Sequence, residues 1–205
     1  PDTCRPQQQK GIIGNCQNFD GNTDYIIMPN TASSKLNFPS DGYFTISAWV
    51  SLDTLDYISQ LIVSKGYSQY FLRFTYFPSD SPLWEFSEFT SPNIWQACTT
   101  RAYARQWSLI TGVRAGDRHL LYVNGVLVDS IPNSYNTSTL SRDTSQNITI
   151  GRFMEAVTLP NNTSEFCFFK GAIDEVRIEL GARSDAWVKL CYMNQRSDDR
   201  LVVFK

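Results

Sequence analysis

Carboxylates are the residues from which this chain could build hydrolytic chemistry, and their spacing decides whether it can. Glycoside hydrolysis needs two acids facing one another across the scissile bond, about 5–10 Å apart. On a strand that means alternate positions. Glu85 and Glu88 are three residues apart and Asp174 and Glu175 are adjacent, so on regular strands each pair points to opposite faces. Glu175, Arg177 and Glu179 do alternate, but a cation separates the acids, as on a solvated strand face. The single histidine, His119, follows Asp117 and Arg118 ahead of a hairpin signal and reads as a surface loop residue. No Ser-His-Asp or Cys-His constellation has support, and there is no glycine-rich phosphate loop. The chain is expected not to be an enzyme.

A different chemistry is written in the aromatic residues. Tyr70, Phe71, Phe74, Tyr76, Phe77, Trp84, Phe86, Phe89 and Trp95 crowd one stretch of chain, more than one core would ordinarily claim. Tyr and Trp stack on the apolar faces of sugar rings while keeping a polar edge. Strand alternation puts Tyr70, Leu72, Phe74 and Tyr76 on one side and Phe71, Arg73, Thr75 and Phe77 on the other. A buried, paired arginine is rare, so one side should meet solvent. Tyr70, Tyr76, Trp84 and Trp95 are therefore candidate stacking rings, with Arg73 and Glu85 as readers of hydroxyl groups. Phe74 and Phe86 are the expected core members, and Trp49 and Trp107 are expected to pack inside.

These residues need strands to hold them. Period-two alternation recurs along the chain, as in Phe44-Thr45-Ile46-Ser47-Ala48-Trp49-Val50. Asn124-Gly125, between His119–Val123 and Val126–Ser130, is the strongest hairpin signal, because a type I′ turn needs positive φ at both central positions. One helix is legible, with Ser184 as its N-cap, Asp185 in the first turn, and Trp187, Leu190 and Cys191 on one stripe. Many short strands with frequent turns and almost no helix describe an all-β, two-sheet antiparallel sandwich. No linker divides the 205 residues, so a single domain over 1–205 is expected.

Composition narrows the partners. The formal charge of −2 comes from scattered charges, without the basic patch that nucleic acid or an anionic membrane requires. No run approaches the roughly 18 apolar residues of a membrane-spanning helix. Cys4, Cys16, Cys98, Cys167 and Cys191 lack CxxC spacing, which argues against zinc and leaves up to two disulfides or buried free thiols as alternatives. Sequons begin at Asn136, Asn147, Asn161 and Asn162 and matter only in a eukaryotic secretory host. A chain beginning Pro1-Asp2-Thr3 reads as a segment of a larger protein.

Several blocks in order resemble the LamG-like, concanavalin A-like lectin/glucanase domains. They are Gly11–Gly14 leading to Phe19–Ile26, then Phe44–Val50, Trp107–Gly112, Leu121–Gly125, Ile148–Gly151 and Phe169–Ile178. The end of the chain, Trp187–Gln195 and a strand at Leu201–Phe204, is similar to the ends of such domains in secreted bacterial proteins that act on polysaccharides. The resemblance implies a jelly roll, frequently with structural calcium. Read alone, Asp20-Gly21-Asn22-Thr23-Asp24 is either an ordinary Asp-Gly turn or an oxygen-rich calcium turn. The resemblance favours calcium, because it puts Asp174 of the last long strand beside that turn, making Asp20, Asp24 and Asp174 the candidate ligands. The function expected is a non-catalytic, lectin-like carbohydrate-binding module of a secreted or cell-surface bacterial protein. It would bind polysaccharide or glycan and adjoin other domains of its parent. A protein-binding or adhesion module is the alternative, and a glycoside hydrolase or polysaccharide lyase a third reading.

Overall fold

A computed structural model of the chain describes residues 4–31, 33–38, 42–56, 58–66, 69–76, 81–90, 94–132, 146–153, 157–158, 164–165, 167–196 and 198. In chain order the strands are β1 (Gln7–Lys10), β2 (Asn15–Asp20), β3 (Ile26–Met28), β4 (Tyr43–Leu52), β5 (Gln60–Lys65), β6 (Tyr70–Thr75), β7 (Leu83–Thr90) and β8 (Ile94–Arg101). They continue as β9 (Ser108–Ala115), β10 (Arg118–Val123), β11 (Val126–Pro132), β12 (Ile148–Ile150), β13 (Val157–Thr158), β14 (Ser164–Glu165) and β15 (Lys170–Leu180), and helix α1 spans Asp185–Gln195.

Two antiparallel sheets form the expected jelly-roll sandwich. The seven-stranded sheet has the order β1-β2-β15-β4-β9-β10-β11 and the six-stranded sheet β3-β12-β5-β6-β7-β8, while β13 and β14 pair separately. Alternation dictates what each strand buries. Phe44, Ile46, Ala48, Val50 and Leu52 of β4 meet Tyr70, Leu72 and Phe74 of β6 and Trp84 and Phe86 of β7 in one continuous core. The Asn124-Gly125 turn forms as expected, with φ of 53° and 77° and Val123 paired to Val126.

Helix α1 begins at Ser184, whose hydroxyl accepts from Trp187 N, and lies on the outer face of the seven-stranded sheet. There Val188 packs on Val113 and Tyr122, and Trp49 donates its indole N–H to Gln195 Oε1 at 2.6 Å. Trp49 is thus buried, but under the helix rather than between the sheets. Trp107 is half-buried. β1 went unread in the sequence because Gln-Gln-Gln-Lys is exposed throughout and carries no alternation. The expected Leu201–Phe204 strand lies outside the described residues.

β15 carries a bulge. Asp174 pairs with Trp49 and Arg177 with Ser47, so Glu175 and Val176 together oppose Ala48. Glu175 takes φ 49°, the left-handed region that a side chain rarely adopts. The inward apolar positions accordingly change phase, from Ile173 before the bulge to Val176 and Ile178 after it.

Candidate functional site

The outer face of the six-stranded sheet carries the expected hydroxyl readers, and they are occupied with one another. Arg73 and Glu85 are register partners on β6 and β7. Arg73 Nε and Nη2 both donate to Glu85 Oε2, at 3.1 and 2.9 Å, and the Ser87 hydroxyl donates to Oε1. All three residues are buried. Beside them Phe71 joins Leu61, Phe153 and Cys167 in a second apolar cluster. Both faces of β6 are therefore buried, and Arg73 is the rare paired exception, which corrects the expectation that one face meets solvent.

The stacking platform is corrected with it. Tyr70 and Trp84 are 0% and 1% exposed and belong to the inter-sheet core. Tyr70 packs 5.2 Å from Phe44, and Trp84 6.2 Å from Phe74, between ring centroids. Tyr76 is half-buried, and its hydroxyl donates to Leu55 O at 2.9 Å. Trp95 pairs with Phe89 across β7 and β8, and its side chain lies outside the described residues. Phe74 and Phe86 are core as expected.

A charged group sits inside the sandwich. Glu88 of β7 reaches across to the seven-stranded sheet, where its Oε2 meets the Arg114 guanidinium and lies 3.0 Å from His119 Nε2. All three side chains are 2% exposed or less. His119 is a core residue 5.9 Å from the Phe86 ring centroid, not a loop residue. Its alternation with Leu121 on β10 was the available signal, masked by the polar neighbours Asp117 and Arg118.

The three carboxylates expected to hold calcium do not meet at one point. Asp20 lies opposite Lys170, four residues along β15 from Asp174. At about 3.3 Å per residue that is on the order of 13 Å. Asp20 Oδ1 accepts from the N–H groups of Asn22, Thr23 and Asp24, and Oδ2 from the Thr23 hydroxyl. Burial raises the Asp20 pKa, but these hydrogen bonds outweigh it and hold the group at about 2. Asp24 accepts from Asp20 N at 3.0 Å. Its own pKa is raised, chiefly by burial; the hydrogen bond from Asp20 N opposes that rise and the Asp20 charge adds to it. Asp174 Oδ2 accepts from Ile12 N and Ile13 N at 2.8 and 3.0 Å, and Oδ1 from Glu175 N at 2.8 Å. These carboxylates hold backbone turns, and among the described residues no three His, Cys, Asp or Glu side chains gather as a metal group. The trio does not fit one calcium ion.

The Asp174 anchor instead borders a cavity of about 210 Å³. β2 and β15 pair only from Asp20/Lys170 to Gln17/Ile173, and beyond that point the bulge at Glu175 and Val176 parts them. Phe19, Ile26, Ile150, Ile173 and Val176 line it, together with Asn15, Cys16, Gln17, Asp174 and Glu175. Gly11 lets the β1–β2 turn close on Asp174, because a Cβ there would stand 2.4 Å from Asp174 Oδ2. The bulge was legible only as the phase change from Ile173 to Val176, and alternation alone did not expose the cavity. None of the five cysteines is joined in a disulfide.

Among the described residues, two antiparallel sheets around one core, with one helix docked outside, define a lectin-like jelly roll. A family model described as "Concanavalin A-like lectin/glucanases superfamily" matches residues 20–189, and the chain belongs to that family. No curated protein matches it significantly in sequence. Among solved structures it is similar to the binding domain of Paraclostridial Mosquitocidal Protein 1 (TM-score 0.69, 16% identity, 92% of this chain and 45% of that one). It is also similar to the botulinum neurotoxin serotype D ligand binding domain in complex with N-acetylneuraminic acid (TM-score 0.69, 15% identity, 93% and 45%). A third is Domain 4 of AbnA, a GH43 extracellular arabinanase of Geobacillus stearothermophilus, in complex with arabinotriose (TM-score 0.62, 18% identity, 90% and 80%). The chain thus spans less than half of the two toxin chains and most of the arabinanase domain.

Proposed function

We propose that this chain is a non-catalytic carbohydrate-binding module of a secreted or cell-surface bacterial protein, acting beside other domains of its parent. The observation that carries the reading is the state of the strand carboxylates. Glu85 is held by Arg73 and Ser87, Glu88 by Arg114 and His119, and Asp174 by three backbone N–H groups. A general acid or nucleophile must be able to give or take a proton or attack an anomeric carbon, and none of these is placed to do so. Membership of a lectin and glucanase family, and likeness to an arabinanase domain solved with arabinotriose, support sugar as the ligand.

The test is a glycan and polysaccharide array probed with the purified chain, alongside an assay for newly released reducing ends. Binding without release is expected; release that persists on repurification would overturn the non-catalytic reading. A protein-binding module is the second reading. The observation favouring it is the first half of strand β11 at the sheet's margin, where Val126, Leu127 and Val128 are consecutive and exposed, because an exposed apolar stretch of an outermost strand is a template for another strand. Loss of partner capture in Leu127→Lys, with a silent array, would favour that reading.

A further inference from the structure

We propose that the cavity opened by the β15 bulge is a binding pocket for the terminal ring of a neutral saccharide. This inference rests on the glycan-binding reading and names its site and ligand class. Size sets the first limit. About 210 Å³ exceeds the roughly 150 Å³ apolar cavity that takes up one benzene ring. It falls short of the roughly 300–1,000 Å³ of pockets for drug-sized ligands. One substituted six-membered ring fits, and a chain of them does not, so recognition is of a chain end.

The lining sets the chemistry. The apolar lining of Phe19, Ile26, Ile150, Ile173 and Val176 suits the C–H face of a ring, and the Asn15 and Gln17 amides and the Glu175 carboxylate suit its hydroxyl groups. Gln17 is the register partner of Ile173 and so shares its inward face, whereas the Asp174 carboxylate lies on the other face with Trp49, its own register partner, and holds Ile12 N and Ile13 N there. Charge then excludes acidic sugars. Asp174 and Glu175 place two negative charges beside the cavity, and Arg177, 2.7 Å from Glu175, returns one. A uronate or sialate carboxylate would be repelled, whereas a neutral hydroxyl donates to Glu175. The buried Cys16 thiol senses the same field: its pKa is raised first by burial and further by the charge of Asp174, against a lowering from Gln9.

The backbone carries an independent mark. Glu175 holds φ 49° in mid-strand, a conformation that costs energy for a side chain, and its place is on the rim of the cavity. Glycine would hold that backbone without strain. The site thus carries a testable opposition between stability and binding.

The experiment follows backbone amide shifts of the whole 205-residue chain on titration with galactose, arabinose and glucose, and separately with glucuronate and N-acetylneuraminate. A neutral sugar is expected to move the amides of Asn15–Phe19, Ile150 and Ile173–Val176, and the acidic sugars are expected to move none of them. Glu175→Gly is expected to weaken neutral-sugar binding at least tenfold with a melting temperature equal to or above that of the parent chain. Val176→Phe, which fills the cavity, should do the same to binding, and the glycine variant guards against a folding defect in it. Neutral-sugar binding that leaves those amides still and is unaffected by Glu175→Gly would overturn the pocket and leave glycan binding standing. Tighter binding of an acidic sugar at these amides would overturn the neutral class. Absence of any sugar response, with a silent polysaccharide array, would overturn the glycan-binding reading and the pocket with it.

Discussion

Trp84 illustrates what separates a ligand-stacking ring from a core ring, since residue type is the same in both and only burial differs. It is 1% exposed and packs edge-on to Phe74, so Trp84→Ala removes buried volume rather than a platform. The expected cost is about 3–5 kcal/mol, read as a fall in melting temperature on the order of 10 °C. Asp20 gives a pH signature of opposite character. Its folded pKa of about 2 lies below the unfolded value near 3.8, so its contribution to stability is present above the unfolded value and is lost as pH falls towards 2. Asp20→Asn keeps a side-chain acceptor but cannot titrate. Its melting temperature should fall less than that of the parent chain between pH 4 and pH 2, measured by circular dichroism at a series of acid pH values. Equal acid sensitivity of the two would mean the turn contributes nothing ionic.

At the level of strands, Glu88, Arg114 and His119 tie β7 to β9 and β10 across the interior. A buried ion pair is weak evidence of net stabilisation, but removing one member strands the other's charge in a low-dielectric core and costs about 3–5 kcal/mol. Glu88→Ala should therefore unfold at markedly lower denaturant, whereas replacing all three residues together by apolar ones of similar volume should recover much of the loss. A triple replacement no better than the single one would mean the triad contributes directly to stability. β15 shows a different element-level rule: its bulge shifts the inward phase by one residue, so Asp174 can hold the Gly11–Gly14 turn while Val176 and Ile178 still reach the core.

The sandwich as a whole closes one long side through β11, whose Asp129 carboxylate accepts from Thr99 N of β8 at 2.8 Å. The opposite side, between β2–β15 and β3–β12, stays parted at the cavity. Because Asp20, Asp24 and Asp174 are already occupied as separate backbone anchors, excess chelator should leave the melting curve unchanged. An ion that bound only the folded state would raise its stability by mass action. A chelator-induced fall that added calcium reverses would put an ion in this fold and show that other oxygen ligands hold it.

Two sheets, the Asn124-Gly125 hairpin and the Ser184-capped helix were legible because each rests on local rules. Strand alternation, positive φ at a turn and an N-cap hydroxyl all act within a few residues. Family blocks such as Phe44–Val50 were legible for the same reason, being strands with fixed inward faces. Which aromatic face was buried was not legible, since Arg73 is tolerated inside only because Glu85, twelve residues away, arrives opposite it in register. His119 was misread because the acid that meets it, Glu88, comes from the other sheet. The separation of Asp20 from Asp174 was likewise fixed by the register of β2 against β15. Pairing partners far apart in sequence, and the burial they create, were decided only when the two sheets packed.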